Sequence, residues 1–231
     1  MKAALLVLGM ITVVTAAPAR ATLVLNDTSF TGWNTGSYKT GTANPATVAI
    51  SPDGSTLMVT TNSLGGASLG YGYDPSTQYS GVPLDGASYS ISASVLSGAS
   101  AFGNGQQFHF ILEQNGSVYD YFVGVTGVRR PDYVDVTFTG TFSAGGFTLI
   151  SGTGPASPDL SGTTAYEIGF GGENAGSSTI TESFQDITGS ITPAVVPEPA
   201  NLSLLGCGLL GLIFASRSRS NNQLAKGHLE S

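Results

Sequence analysis

The 231-residue chain is short of most of the residue types that carry enzyme chemistry. It has one cysteine, Cys207, which lies inside an apolar C-terminal stretch. The rest of the chain therefore has no disulfide and no thiolate metal site, and an ordinary apolar core must supply its stability. There are two histidines, of which only His109 precedes the C-terminal tail. One histidine and no cysteine cannot fill a tetrahedral zinc site without several carboxylates. A Ser-His-Asp arrangement would also have to be built on His109. That residue is flanked by Phe108 and Phe110, and alternation puts it on the opposite strand face, where it is expected to be solvent-facing or partly packed.

Positive charge is scarce as well. Between Thr22 and Pro199 only Lys39, Arg129 and Arg130 are basic, against fourteen acidic residues, a formal charge of −11. Such a surface repels phosphate backbones, so nucleic acid is excluded as a partner. Neutral polysaccharides, cations and calcium are compatible with it.

What is abundant is glycine, 32 residues, in a chain that is 41% hydrophobic and only 10% charged. Period-two alternation runs through the middle of the chain. In "SYSISASV" Tyr89, Ile91, Ala93 and Val95 face one way and four serines the other. "VDVTFTGTF" places Val134, Val136, Phe138 and Phe142 inward, and "QFHFILEQ" does so with Phe108, Phe110 and Leu112. Asn115-Gly116 then supplies a hairpin turn into "VYDYFVGV". Further strands are expected over 22–26, 47–50, 56–61, 69–73, 147–151, 165–171, 179–184 and 187–191. No internal repeat is present, which excludes a propeller or solenoid. The expected fold is all-β, an antiparallel β-sandwich of jelly-roll type spanning 22–192.

The two ends read differently. "MKAALLVLGMITVVTAAPARA" has a basic start, an apolar run and Ala19-Arg20-Ala21, the pattern of a secretory signal peptide over 1–21. At the other end a linker, 193–201, leads into an apolar helix over 202–216 and a basic and polar tail over 217–231. The apolar run from Leu202 to Ala215 would make about 21 Å of helix at 1.5 Å per residue, short against a hydrocarbon core of about 30 Å. Arg217 and Arg219 would hold its end in the cytoplasm. Pro197 and Pro199 keep the preceding segment extended.

Val196-Pro197-Glu198-Pro199-Ala200, followed by an apolar helix and arginines, resembles the PEP-CTERM sorting signal of Gram-negative bacteria, a segment also described as an ice-binding protein C-terminal domain. The resemblance implies export, transient anchoring in the inner membrane, cleavage by exosortase, and delivery to the cell surface or extracellular matrix. This chain departs from the pattern in that Ser218 separates the arginines and a polar extension, "SNNQLAKGHLES", follows them. The order of "SFTGWN", "YSISASV", "FHFILEQNGSVYDY" and "AYEIGFGG" resembles the progression of jelly-roll carbohydrate-binding modules. That resemblance implies a structural calcium ion near Asp186.

Sugar binding needs flat rings to stack on pyranoses, with polar groups to orient hydroxyls. Trp33, Tyr71, Tyr73, Tyr119 and Tyr121 are the candidate ligand-binding residues, with core packing as the competing role for each. Tyr71 and Tyr73 share one strand face, as do Tyr119 and Tyr121. No catalytic residue or cofactor is assigned, and a non-enzymatic protein is expected. A structural surface protein without a ligand is the alternative, and a glycoside hydrolase using Glu113 and Asp120 across the hairpin is the third reading. Ice binding by the outward threonines Thr137, Thr139 and Thr141 lacks the repeats that a flat solenoid face would need.

Overall fold

The computed structural model describes residues 21–62, 65–97, 106–127, 132–174, 176 and 179–194. The signal peptide, the Val196–Ala200 motif, the apolar helix over 202–216 and Arg217 and Arg219 lie outside the described residues. Arg20–Ala194 form one compact unit. Among the described residues no helix is long and apolar enough to cross a membrane.

Twelve antiparallel strands form a jelly-roll β-sandwich of two six-stranded sheets. In chain order they are β1 Leu23–Asp27, β2 Asn34–Lys39, β3 Asn44–Ile50, β4 Leu57–Asn62, β5 Ser68–Tyr79 and β6 Ser88–Ser97. Then follow β7 Gln107–Gln114, β8 Ser117–Val125, β9 Val134–Thr141, β10 Phe147–Ser151, β11 Tyr166–Asn174 and β12 Thr179–Thr192. The first sheet runs β3-β4-β12-β6-β9, with β1 also paired to β12; the second runs β10-β8-β7-β11-β5-β2.

The alternation read in the sequence decides which residues meet between the sheets. Tyr89, Ile91, Ala93 and Val95 from β6 face Phe108, Phe110 and Leu112 from β7 across a single core. Phe108 stacks on Phe138 at 4.9 Å and on Phe170 at 5.7 Å between ring centroids. Asn115 and Gly116 both have positive φ, 54° and 77°, as a primed two-residue hairpin between β7 and β8 requires.

Two expected strands, 179–184 and 187–191, are one strand, β12. Its inward residues change parity, from Ile180 and Phe184 to Ile187 and Ile191, all buried. One extra residue is needed to bring both sets to the same face. Asp186 supplies it, with φ 47° at the register shift between Gln185 and Thr188. Before the bulge β12 pairs with β4, and after it with β1. Asp186 thus has a backbone role.

Three of the five expected ligand-binding rings belong to the core. Trp33 is 8% exposed, edge-on to Phe30 at 4.9 Å and stacked on Phe170 at 6.4 Å. Gly72 makes room for it, since a Cβ there would lie 3.2 Å from Trp33 Cε3. Tyr119 is fully buried, and Tyr121 packs on Phe142 and Phe147 while its hydroxyl donates to the Thr141 carbonyl. Tyr119 and Tyr121 lie on the inner face of β8, which points into the sandwich.

Candidate functional site

The outer face of the second sheet gathers the chemically distinctive side chains. Reading across β2, β5, β11, β7 and β8, the register aligns Gly36, Tyr71, Gly171, His109 and Phe122 in one row. The next row is Asn34, Tyr73, Gly169, Ile111 and Asp120. Large side chains thus alternate with glycines. Tyr71 lies over Gly36, where a Cβ would meet its hydroxyl at 2.5 Å, and a Cβ on Gly169 would lie 2.1 Å from the Gly72 carbonyl oxygen. Beyond these rows the register sets Glu173 between Leu69 and Gln107, and Glu167 opposite Glu113.

The centre of this face is a second, small apolar cluster: Leu69, Tyr71, Ile111, Val118 and Ile150, with Tyr38 and Tyr73 packed against it. Tyr71 is 5% exposed. Burial pushes its hydroxyl pKa up, with a smaller rise from Tyr73, against a hydrogen bond from Ser151 on β10. Tyr38 and Tyr73 are half-buried at one side of this face, and Phe122, 49% exposed, stands at the other. Of the expected rings, Tyr73 therefore presents a partly open face and Tyr71 forms floor.

Carboxylates sit at both ends. Glu113 accepts a hydrogen bond from the Gly116 backbone N–H at 2.6 Å, and Glu167 accepts one from Gln78 Nε2 at 3.3 Å. Burial raises the Glu113 pKa, and its contact with Glu167 raises it further. The two residues are direct register partners on neighbouring strands. Asp120 does not pair with Glu113 across the hairpin as the hydrolase reading expects. Its Oδ2 lies 2.9 Å from His109 Nδ1.

His109 is the residue whose setting the sequence conceals. Its strand face is the outer one, as alternation requires, yet it is 3% exposed and not solvent-facing. Phe122 covers it edge-on at 5.8 Å, and Nε2 stands 3.9 Å from Glu173 Oε2. Burial pushes the Glu173 carboxyl up, His109 draws it down and Asp120 raises it. His109, Asp120 and Glu173 are the one group among the described residues whose nitrogen and carboxylate atoms all lie within 4.8 Å of one another.

A second buried polar group lies inside the sandwich. Glu182, fully buried, occupies an inward position of β12 between Ile180 and Phe184. Its Oε1 accepts from Ser97 Oγ at 2.6 Å, Thr126 Oγ1 at 2.6 Å and the Gln106 N–H at 3.2 Å. Burial nevertheless keeps its pKa above the usual carboxylate value.

No family model matches the chain, and no curated protein matches it. Among solved structures, the chain is similar to the family 11 carbohydrate-binding module of a cellulosomal cellulase of Clostridium thermocellum. That match has 15% identity over 77% of this chain and 99% of that one, with a TM-score of 0.39. The family 11 module from the same organism in complex with a β-1,3-1,4-mixed-linked tetrasaccharide is 17% identical over 75% of this chain and 98% of that one, with a TM-score of 0.41. A mutant of a family 29 carbohydrate-binding module matches at 12% identity over 79% and 95%, with a TM-score of 0.37.

Proposed function

We propose that this is an exported, non-enzymatic protein whose sandwich binds a polysaccharide chain along the outer face of the second sheet. The observation that carries the reading is the grouping, on one sheet face, of the part-exposed rings Tyr38, Tyr73 and Phe122 with hydrogen-bonding groups on Asn34, Asp120, Glu113 and Glu173. Rings supply stacking surface for pyranose faces, and the polar groups fix hydroxyl orientation. The acidic surface favours a neutral chain over an anionic one. Co-sedimentation of the protein with a panel of polysaccharides, with calcium and with chelator, tests this. Saturable binding that falls about tenfold when Tyr73 or Phe122 becomes alanine is expected. No saturable binding to any member, or binding unchanged in the double variant, would refute it.

A structural surface protein without a ligand is the second reading. The burial of Leu69, Tyr71 and Ile111 favours it, since the middle of the face is already closed by its own side chains.

The order of the terminal segments supports export from a Gram-negative bacterium to the cell surface or extracellular matrix, with exosortase acting near Pro197-Glu198-Pro199 after transient membrane insertion. A C-terminal epitope tag should vanish from the exported protein while an internal tag survives. An exported form that keeps both tags would sink this part of the proposal.

A further inference from the structure

We propose that His109 and Glu173 bind a divalent metal ion of the zinc class on the outer face of the second sheet, with Asp120 orienting the imidazole. The proposal goes beyond the polysaccharide reading and does not depend on it.

His109 Nε2 is a buried atom with no hydrogen-bond partner among the described residues. A carboxylate is an acceptor, so the 2.9 Å contact makes His109 Nδ1 the donor to Asp120. In the neutral ring that leaves Nε2 as a lone-pair acceptor. Nε2 is buried, and among the described residues nothing donates a hydrogen bond to it. An orphaned buried acceptor costs about 1–3 kcal/mol, and the group facing it, Glu173 Oε2, is another acceptor. His109 Nε2 and Glu173 Oε2 thus stand 3.9 Å apart with no hydrogen bond between them, a gap that a cation held by both would bridge.

The geometry matches a metal bridge more closely than a hydrogen bond. At 3.9 Å the nitrogen and oxygen are too far apart to share a proton well. Two donors on a tetrahedral zinc ion, each about 2.0–2.2 Å from it, stand roughly 3.4 Å apart. Closing the remaining half ångström or so needs only side-chain rotation in Glu173, which is partly open to solvent. Asp120 on Nδ1 is the carboxylate partner that metal-bound histidines commonly have, fixing the tautomer and aiming the ring. Strand register explains how the three meet. Glu173 lies two residues along β11 from Gly171, the partner of His109, and Asp120 lies two residues along β8 from Phe122, the other partner of His109. Gly171 puts no side chain between His109 and Glu173. Phe122 shields the ring from one side. The remaining coordination positions are left for water or for oxygen atoms of a ligand.

The test is titration of the metal-free full chain with Co²⁺, read by visible d–d absorption, followed by displacement with Zn²⁺, all without polysaccharide. One Co²⁺ per chain, displaced by one Zn²⁺, is expected. Glu173→Gln keeps the shape and removes the ligand charge, and should weaken binding at least tenfold with an unchanged circular dichroism spectrum. Asp120→Asn should retain the one-to-one stoichiometry but weaken binding about 10–100-fold, as loss of a histidine's supporting carboxylate does. His109→Gln should abolish the absorption band; if it fails to fold, Glu173→Gln alone decides. No saturable binding overturns the proposal and identifies an imidazole simply ion-paired to both carboxylates. Binding that survives Glu173→Gln at parental strength overturns it too, by assigning the ion to the generally acidic surface.

Discussion

Replacing Glu182 by glutamine should make the protein more stable at neutral pH. Glu182 Oε1 accepts three hydrogen bonds, from Ser97, Thr126 and the Gln106 backbone. Oε2 is buried, and among the described residues it has no partner; Gln106 Oε1 is in the same condition. Burial holds the carboxyl pKa above its ordinary value against those three hydrogen bonds. The folded state therefore prefers the protonated acid. The stabilisation linked to that proton is complete below the unfolded-state pKa, near 4.5, and is lost as pH rises through the higher folded value. Glutamine keeps an oxygen for the three donors and places an NH₂ where the orphaned oxygen stood. With the new NH₂ donating to the orphaned Gln106 Oε1, relieving one buried unsatisfied acceptor is worth about 1–3 kcal/mol, which in a domain of this size raises Tm by about 2–4 °C per kcal/mol. Urea denaturation of parent and Glu182→Gln at pH 4 and pH 7.5 measures it. The variant's advantage should appear at pH 7.5 and shrink at pH 4. A variant less stable than the parent at pH 7.5, or an equal difference at both pH values, would refute the reasoning.

Further outcomes follow from the same packing. Trp33→Ala should cost about 3–5 kcal/mol, as truncation of a large core ring does, seen as a lowered denaturation midpoint; for that reason it cannot report on ligand contact. Asp27, whose pKa burial and then Asp74 push up to about 6, should add to the loss of stability between about pH 4 and pH 6. Asp27→Asn should flatten that part of the profile in a pH series of thermal melts. Asp186→Gly should be tolerated or mildly stabilising and Asp186→Val destabilising by about 1–2 kcal/mol, because the position has φ 47°.

Much of the architecture was legible before the fold was known. β6, β7 and β9 alternate so regularly that their inward residues could be named, and Asn115-Gly116 announced the hairpin. β2 was not, since "NTGSYK" has no apolar alternation and owes its strand state to pairing with β5. The single strand β12 read as two, because a bulge that restores the inward face looks, in one dimension, like a break.

The candidate site was legible only in part. Alternation put Tyr71 and Tyr73 on one face and His109 opposite its phenylalanines, and both placements hold. It could not say which of two faces is core. Tyr119 and Tyr121 share a face as surely as Tyr71 and Tyr73 do, but theirs points between the sheets. Glu182 left a signal that could have been used: in "TITESF" it stands at the inward position between Ile180 and Phe184.

By itself, then, the amino-acid order determined the all-β class, the local facing of side chains and the hairpin at Asn115-Gly116. These depend on neighbours within a few residues, through the two-residue pleat and the backbone freedom of particular turns. Only the tertiary structure decided that Trp33 is core, that Tyr71 is floor, and that His109 lies buried between Asp120 and Glu173. Those facts depend on which strands pair, so they join residues from β7, β8 and β11 that no local pattern connects.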